Sequence, residues 1–202
     1  MGYTHYWTLK KSANDPVRFK EAVELFKELW AAAPKTFTGE GWDKKTESWK
    51  KKRFKKENLL KGGLGEGEPV ITDTCIKFNG DAKYELDHET FCIDLADFTD
   101  PENNWSRRAN GDIWDFCKTA EKPYDLAVCL ALLSFKEIFG DDFEYSSDGV
   151  TRESIKNPEN LAYWKSIDWK PKIEKGWGKA YRVFDKVMDI RWLAEMRASL
   201  AR

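Results

Sequence analysis

The hydrophobic residues near the N-terminus alternate first with a period of two and then with a period of three to four. Residues 2–10 are therefore predicted to form a strand, and aromatic residues lie on both of its faces. A capping Asp15, followed by Pro16 at the first helical position, begins a helix that ends before Pro34. Because an exposed apolar sheet face is a liability in a monomer, we expect both faces of the first strand to be covered.

Two further strands are predicted in the middle of the chain. Residues 70–80 and 89–95 alternate apolar and polar positions around a turn, which is typical of a hairpin. Residues 36–68 are polar, basic and finally glycine-rich, and we interpret them as an insertion. Their last stretch, GGLGEGEP, precedes a strand instead of following one, which argues against a dinucleotide-binding loop.

The second half of the chain is predicted to be mostly helical. A helix runs from Pro123 to Phe139, where Gly140 ends it, and its apolar residues cover more than one stripe. We therefore expect this helix to be buried on several sides. A short strand at 143–147 follows, and residues 180–200 form an amphipathic helix.

The order of these elements predicts an α+β fold of the ferredoxin-like type (βαββαβ), in which two helices cover one face of a four-stranded antiparallel sheet. We expect a core at 1–149 that contains the basic insertion at 36–68. Residues 150–202 are predicted to form a helical C-terminal extension that packs on this core. The extension, the insertion or a second subunit would cover the open face of the sheet.

Composition places the chain among soluble globular proteins, since 41% of its 202 residues are hydrophobic and 34% are charged. A net charge of −1 argues against a nucleic-acid-binding field spread over the whole protein. The longest apolar run, 126–135, has half the length that a bilayer-spanning helix needs, so no membrane association is expected. Four cysteines without CxxC spacing and the lack of an export leader predict a cytoplasmic protein.

Ten tryptophans are many for a chain of this length. Each combines a large apolar face with an N–H donor that needs a partner. The tryptophans indicate either an aromatic-rich core, or an aromatic-lined pocket or subunit interface.

Three motifs, namely GYTHYW, FNGD…ETF and FCKTAEKPYDLAV…FGDDFEYSSDG, resemble an uncharacterised family of bacterial and phage proteins. The resemblance covers residues 2–10, 76–92 and 116–149, so the insertion and the C-terminal extension lie outside it. It implies no enzymatic activity. The occurrence of the family in phages implies an accessory role, such as handling a host metabolite or a defence signal.

An anion site is predicted where Lys118, Thr119 and Lys122 precede the helix that Pro123 opens. Cations at a helix N-terminus oppose the helix dipole, whereas the free N–H groups there suit a phosphate or a carboxylate. The alternative is that both lysines are solvated and that Asp125 compensates them.

The SSDG stretch ends the last predicted strand, at the same end of the sheet as the start of the first strand and Asn79. It is either an ordinary turn or a source of hydrogen bonds to a polar ligand such as a ribose, through Ser146, Ser147, Asp148 and Asn79.

His5 shares a strand face with Tyr3 and Trp7. It is either a packed, hydrogen-bonded histidine or a residue that contacts a ligand or acts as an acid–base group. No metal site is expected, since a site would have to combine Cys75, Cys92 or carboxylates across strands.

Residues 44–56 interleave aromatic residues with eight lysines and arginines. This pattern suits a solvated amphipathic helix with lysine on its outer face, a lid over an anionic ligand, or contact with nucleic acid through Lys44–Lys56.

These observations favour a homo-oligomeric protein that binds and sequesters an anionic, nucleotide-like molecule in an aromatic-lined pocket, without a cofactor or metal. The predicted ligand-binding residues are Tyr3, His5, Trp7, Asn79, Lys118, Thr119, Lys122, Tyr124, Ser147 and Asp148. Two alternatives stay open. One is a hydrolase or transferase that acts on a nucleotide-like substrate, with His5 as acid–base group, and the other is a nucleic-acid-interacting protein that uses residues 44–56.

Overall fold

The computed structural model describes residues 3–43, 45–100 and 106–200. Within these ranges it has an α+β architecture of five α-helices and three small antiparallel sheets. The strands are β1 (Thr4–Leu9), β2 (Thr36–Asp43), β3 (Ser48–Lys55), β4 (Val70–Thr72), β5 (Cys75–Phe78), β6 (Phe91–Asp94), β7 (Ile113–Lys118) and β8 (Phe143–Ser147). The helices are α1 (Pro16–Ala32), α2 (Asp125–Phe139), α3 (Arg152–Lys156), α4 (Pro158–Ser166) and α5 (Lys175–Leu200).

The first sheet has the order β7-β1-β8, so β1 is its central strand. Tyr6 of β1 pairs with Phe116 on one side and with Ser146 on the other, and both pairings are antiparallel. The pairing with residues 143–147 agrees with the predicted order. On the other side the structure differs from the prediction, because residues 113–118 occupy the place expected for a strand of the hairpin. In this strand Ile113 and Cys117 are buried on the inner face, whereas Trp114 and Phe116 lie on the opposite face and are partly exposed.

The predicted hairpin exists as β5 and β6, but it belongs to a separate sheet of the order β4-β5-β6. Phe78 pairs with Phe91, and the side chains of both are fully buried. This second sheet meets the first where the backbone N–H of Glu89 donates to the carbonyl of Lys118 over 3.2 Å and where Phe91 packs on Trp7. The single four-stranded sheet that the sequence predicts is therefore absent from the described residues, where β6 and β7 belong to two different sheets.

The insertion forms a two-stranded ribbon of β2 and β3, with Phe37 paired to Phe54. Phe37 stacks on Trp30 of α1 at 5.8 Å, and Phe54 packs against Tyr84. The lysine-rich strand β3 is thus extended and not an amphipathic helix. Lys44, at the start of the predicted basic segment, lies outside the described residues.

The two central helices, α1 and α2, pack on each other and contribute nearly half of the buried core residues. Asp15 caps α1 as predicted, by accepting hydrogen bonds from the backbone N–H groups of Val17 and Arg18. Helix α2 is buried on nearly every side, which agrees with its almost continuous run of leucine, alanine, valine and phenylalanine.

The C-terminal helix α5 packs against α2 and α1. Trp177 and Ala180 at its beginning are fully buried. This helix therefore covers the helical layer and not the outer face of the first sheet. On that outer face, Tyr6, Trp114 and Phe116 stay partly exposed. No helix in the described ranges combines the length and apolarity needed to cross a bilayer.

Candidate ligand-binding cleft

The predicted residues Tyr3, His5 and Thr119 do come together, but in the protein interior. The Nε2 atom of His5 lies 2.8 Å from Oδ1 of Asp125, and the His5 side chain has no exposed surface. The hydroxyl of Thr119 donates to the same carboxylate oxygen. Trp177 packs edge-on against the imidazole at 5.4 Å. This cluster ties β1 to the first turn of α2 and offers a ligand no direct access.

A group of potential metal ligands lies in this cluster: one ligand atom each of His5, Asp125 and Cys129 fall within 4.8 Å of one another. It involves neither Cys75 nor Cys92. Burial raises the pKa of the Cys129 thiol well above its usual range, whereas a metal requires the thiolate. Nε2 of His5 is already hydrogen-bonded to Asp125, although Nδ1 of His5 is buried without a hydrogen-bond partner among the described residues. We interpret the group as part of a polar core.

The predicted anion site at the start of α2 is filled by the protein itself. The helix begins at Asp125, and this buried carboxylate lies in the first turn, where an anion stabilises the helix dipole. Lys122 extends away and donates to the carbonyl of Glu85 over 2.6 Å. Lys118 lies at the end of β7 and is partly buried.

Three other predicted residues, Trp7, Tyr124 and Asn79, are buried and hold the framework together. Trp7 packs on Phe91 at 5.1 Å. Tyr124 donates its hydroxyl to the carbonyl of Glu89 over 2.8 Å. The side-chain oxygen of Asn79 accepts from the N–H groups of Gly80 and His88, so this amide shapes the turn that follows β5.

Ser147 and Asp148 lie beside the start of β1, as predicted. The carboxylate of Asp148 accepts from the backbone N–H of Thr4 over 2.9 Å and from the hydroxyl of Tyr6 over 3.3 Å. Asn79 does not join them, because it belongs to the β4-β5-β6 sheet.

The gap between β6 and β7 forms a cavity of about 570 Å³, which we call the cleft. This volume is in the range of pockets that hold drug-sized ligands. Leu64 stands at its edge with 89% of its surface exposed. The cleft is lined by Gly63, Leu64, Lys77, Glu89, Thr90, Cys92, Asp115 and Phe116.

Two of the motifs noted in the sequence meet at the closed end of the cleft. Glu89, from the ETF motif, accepts a hydrogen bond from the backbone N–H of Lys118, from the FCK motif, over 2.7 Å. The hydroxyl of Thr90 donates to the carbonyl of Gly63, which holds the glycine-rich loop across the opposite wall. Beyond the Glu89–Lys118 contact, the two strands part and the cleft opens.

Phe116 also belongs to a row of aromatic side chains on the outer face of the first sheet. We call this row, formed by Tyr6, Trp114 and Phe116, the aromatic ledge. The ring centroids of Trp114 and Phe116 are 5.6 Å apart, and those of Tyr6 and Trp114 are 6.4 Å apart. The guanidinium of Arg108 lies 4.6 Å from the Trp114 ring centroid. The ledge thus continues the apolar wall of the cleft onto the surface.

The inner part of the cleft is acidic. Burial, together with the charges of Asp97 and Glu89, raises the pKa of Asp115 to about 7, against a lowering by the hydrogen bond from the Phe116 backbone. Burial and the neighbouring carboxylates Asp94 and Asp100 raise the pKa of Asp97 to about 6. Lys77 is an exposed cation at the rim. Carboxyl groups whose pKa lies near neutrality are concentrated in functional sites.

A second cavity, of about 680 Å³, lies beside Asp81 and Tyr84. It is less suited to a flat ligand, because the ammonium groups of Lys52 and Lys83 lie 5.9 and 5.4 Å from the Tyr84 ring centroid. We therefore assign the candidate site to the cleft between β6 and β7.

No family model, curated protein or solved structure matches this chain. The resemblance to bacterial and phage proteins therefore stays a prediction, and the functional argument depends on the cleft. The sequence interpretation missed Asp115, Glu89, Phe116 and Leu64. The position of Glu89 and Phe116 inside the quoted motifs was the available signal.

Proposed function

We propose that the protein binds an anionic, nucleotide-like small molecule in the cleft, with the base beside Phe116. This proposal depends mainly on one observation: a single cavity of ligand size is lined by the aromatic Phe116, the nearly fully exposed Leu64 and Asp115, whose carboxyl pKa is raised. A flat apolar ring between Phe116 and Leu64 would remove the exposed leucine from water.

The cations of the site lie at its rim, where they suit a phosphate group. Lys77 lines the cleft, and Lys118 is on the same strand face of β7 as Phe116. Arg108 lies over the neighbouring Trp114. The proposed site therefore keeps Lys118 from the predicted set and adds Lys77 and Arg108. His5, Trp7 and Tyr124 support its walls from the core.

The proposal also covers the biological role, the location and the oligomeric state of the protein. The protein would sequester its ligand in the cytoplasm, as a phage-type accessory protein directed at a host metabolite or defence signal. A second copy would cover the aromatic ledge in a homo-oligomer. We also propose a ferredoxin-like ancestry for the sheet, in which β6 is the fourth strand and ligand binding occurs where it separates from β7.

Equilibrium dialysis against nucleoside monophosphates, with inorganic phosphate as a separate arm, tests the proposal. Phe116→Ala is expected to weaken binding roughly fivefold to 150-fold, since stacking on an aromatic side chain contributes about 1–3 kcal/mol per base. Trp192→Ala, at a tryptophan that is 60% exposed on α5, is the matched aromatic control. Lys77→Ala is compared with Lys172→Ala, an exposed lysine away from the cleft.

Mass spectrometry of ligand released by heat separates sequestration from turnover. A ligand recovered intact supports sequestration, and a chemically changed one supports the enzymatic alternative. The burial of His5 argues against the enzymatic alternative, because a side chain with no exposed surface cannot reach a substrate as an acid–base group. A folded protein that binds none of the nucleotides would overturn the proposal.

A second candidate function, contact with nucleic acid, is favoured by the outer face of the ribbon. Lys51, Arg53 and Lys55 alternate along β3 and are all exposed, so three cations follow one another on one strand face. Retention of single-stranded oligonucleotides that weakens with salt, and that a triple Lys51→Ala, Arg53→Ala, Lys55→Ala variant abolishes, would support this function. Retention that the triple variant leaves unchanged would exclude it.

A further inference from the structure

The charges around Asp115 distinguish the inner part of the cleft from its rim. Glu89 and Asp97 both raise the pKa of Asp115, and Cys92 on β6 is a free cysteine. Lys77, the cation from β5, is exposed at the rim. An anionic group would be repelled by the inner part of the cleft, whereas a group with N–H donors would be attracted. The ligand's orientation follows: its donors point inward and its phosphate outward.

We propose that the cleft selects a base that presents two adjacent N–H donors, as the guanine edge does, and that the Asp115 carboxylate accepts both. This inference rests on the proposed function and specifies its ligand class. An ionised carboxylate offers two acceptor oxygens and no donor, so it matches an N–H pair in a bidentate arrangement. The edges of adenine and cytosine each present a donor next to an acceptor, and they leave one carboxylate oxygen facing a lone pair.

The position of Asp115 within the cleft supports this assignment. Asp115 and Phe116 are consecutive residues of β7, and both line the same cavity. Their side chains leave opposite faces of β7, and both border the cavity because β7 is the edge strand of its sheet. A base that lies across this edge contacts the Phe116 ring and presents its N–H groups to the Asp115 carboxyl group. The backbone N–H of Phe116 donates to Oδ1 of Asp115 over 2.6 Å and fixes the orientation of the carboxyl group.

Binding of such a base should depend on pH. The pKa of Asp115 is raised to about 7 in the empty cleft, so protons compete with the ligand below neutrality. Affinity for guanosine monophosphate should rise by roughly tenfold or more between pH 5 and pH 8. Glu89 and Asp97 are the charges that raise the pKa of Asp115 and set this dependence, and Lys77 and Cys92 are further titratable groups that line the cavity.

The experiment measures dissociation constants for guanosine, inosine and adenosine monophosphates at pH 5, 6, 7 and 8. Inosine monophosphate lacks the exocyclic amino group and keeps only one of the two donors. The expected order of affinity at pH 8 is guanosine, then inosine, then adenosine monophosphate, with roughly tenfold between the first and the last. In Asp115→Asn, the preference and the pH dependence should both disappear, since an amide offers only one acceptor and does not titrate.

Asp97→Asn is the matched control, because it removes a neighbouring carboxylate outside the cleft lining. It should keep the guanine preference and move the pH midpoint downward, since one of the charges that raise the pKa of Asp115 is gone. If Asp115→Asn retains the wild-type ratio between guanosine and adenosine monophosphates while Phe116→Ala still loses binding, the base assignment is overturned and the proposed function stands. If no nucleotide binds to the folded protein, the proposed function itself is overturned.

Discussion

The imidazole of His5 and the carboxylate of Asp125 form a buried hydrogen bond of 2.8 Å between the central strand β1 and the first turn of α2. The same oxygen of Asp125 accepts from the hydroxyl of Thr119, just after β7. One carboxylate thus joins two strands of the sheet to the most buried helix. This arrangement explains why a histidine lies among aromatic residues in the N-terminal strand, and it assigns His5 to the framework of the protein.

Two replacements of Asp125 should show how much its hydrogen bonds to His5 and Thr119 stabilise the fold. Asp125→Ala leaves Nε2 of the buried His5 without a partner and Thr119 with only its 3.5 Å contact to the carbonyl of Tyr3. It should lower the free energy of unfolding by about 3–5 kcal/mol. Asp125→Asn keeps a side-chain oxygen as acceptor and should cost about 1–2 kcal/mol. Urea denaturation monitored by tryptophan fluorescence measures both values.

The control for Asp125 is Asp141→Ala, at a fully exposed carboxylate whose contact with Lys136 is 3.9 Å long. It should change stability by less than about 0.5 kcal/mol. If Asp125→Ala and Asp141→Ala lowered the free energy of unfolding equally, the buried hydrogen bonds of Asp125 would not contribute to stability.

Asp115 should make the protein less stable as the pH rises. Its pKa is raised from 3.8 to about 7 in the folded state, so the folded state binds more protons than the unfolded state between these values. The free energy of unfolding therefore falls as pH rises from about 4 to 7. Asp115→Asn should be equal to wild type near pH 4 and more stable by about 2 kcal/mol at pH 8, with allowance for the partial exposure of the group.

Thermal denaturation across this pH range tests the Asp115 prediction. Asp189→Asn, at an exposed position on α5, supplies the control and should leave the pH profile unchanged. A difference between wild type and Asp115→Asn that does not vary with pH would show that the carboxyl group is not held in its neutral form.

The sequence was sufficient for local elements and insufficient for their arrangement. The alternation of residues 75–78 and 91–94 predicts the hairpin correctly, since local pattern and turn determine it. Which strand then pairs with β1 depends on contacts distant in sequence. Trp114 and Phe116 face outward while Cys117 is buried, so the strand at 113–118 has apolar residues on both faces and resembles a helical or loop segment in composition.

The candidate site was only partly predictable for a related reason. The two motifs that contain Glu89 and Phe116 were visible, but their junction depends on the hydrogen bond of Glu89 to Lys118. The predicted pocket residues His5 and Trp7 are chemically versatile side chains that serve here as core. Asp115 was missed because a single carboxylate in a strand acquires its raised pKa only from the tertiary structure.

Trp7 and Trp114 should behave differently when replaced, although they belong to neighbouring strands. Trp7 is 2% exposed, and Trp7→Ala should lower the free energy of unfolding by about 3–5 kcal/mol through loss of core packing. Trp114 is partly exposed on the aromatic ledge, and Trp114→Ala should cost about 1 kcal/mol. Chemical denaturation of both variants measures the difference. Similar losses would mean that the ledge is as tightly packed as the core.

The beginning and the end of α5 offer a matched pair that tests whether the C-terminal helix is part of the cooperative core. Trp177 is fully buried against Tyr145 and His5, whereas Trp192 is 60% exposed on the same helix. Trp177→Ala should lower the free energy of unfolding by about 3–5 kcal/mol, and Trp192→Ala by less than about 0.5 kcal/mol. Both variants should unfold in a single transition when followed by circular dichroism and by tryptophan fluorescence. Two separate transitions in Trp177→Ala, with the larger one at the wild-type midpoint, would instead mean that α5 folds independently of the sheet and of α2.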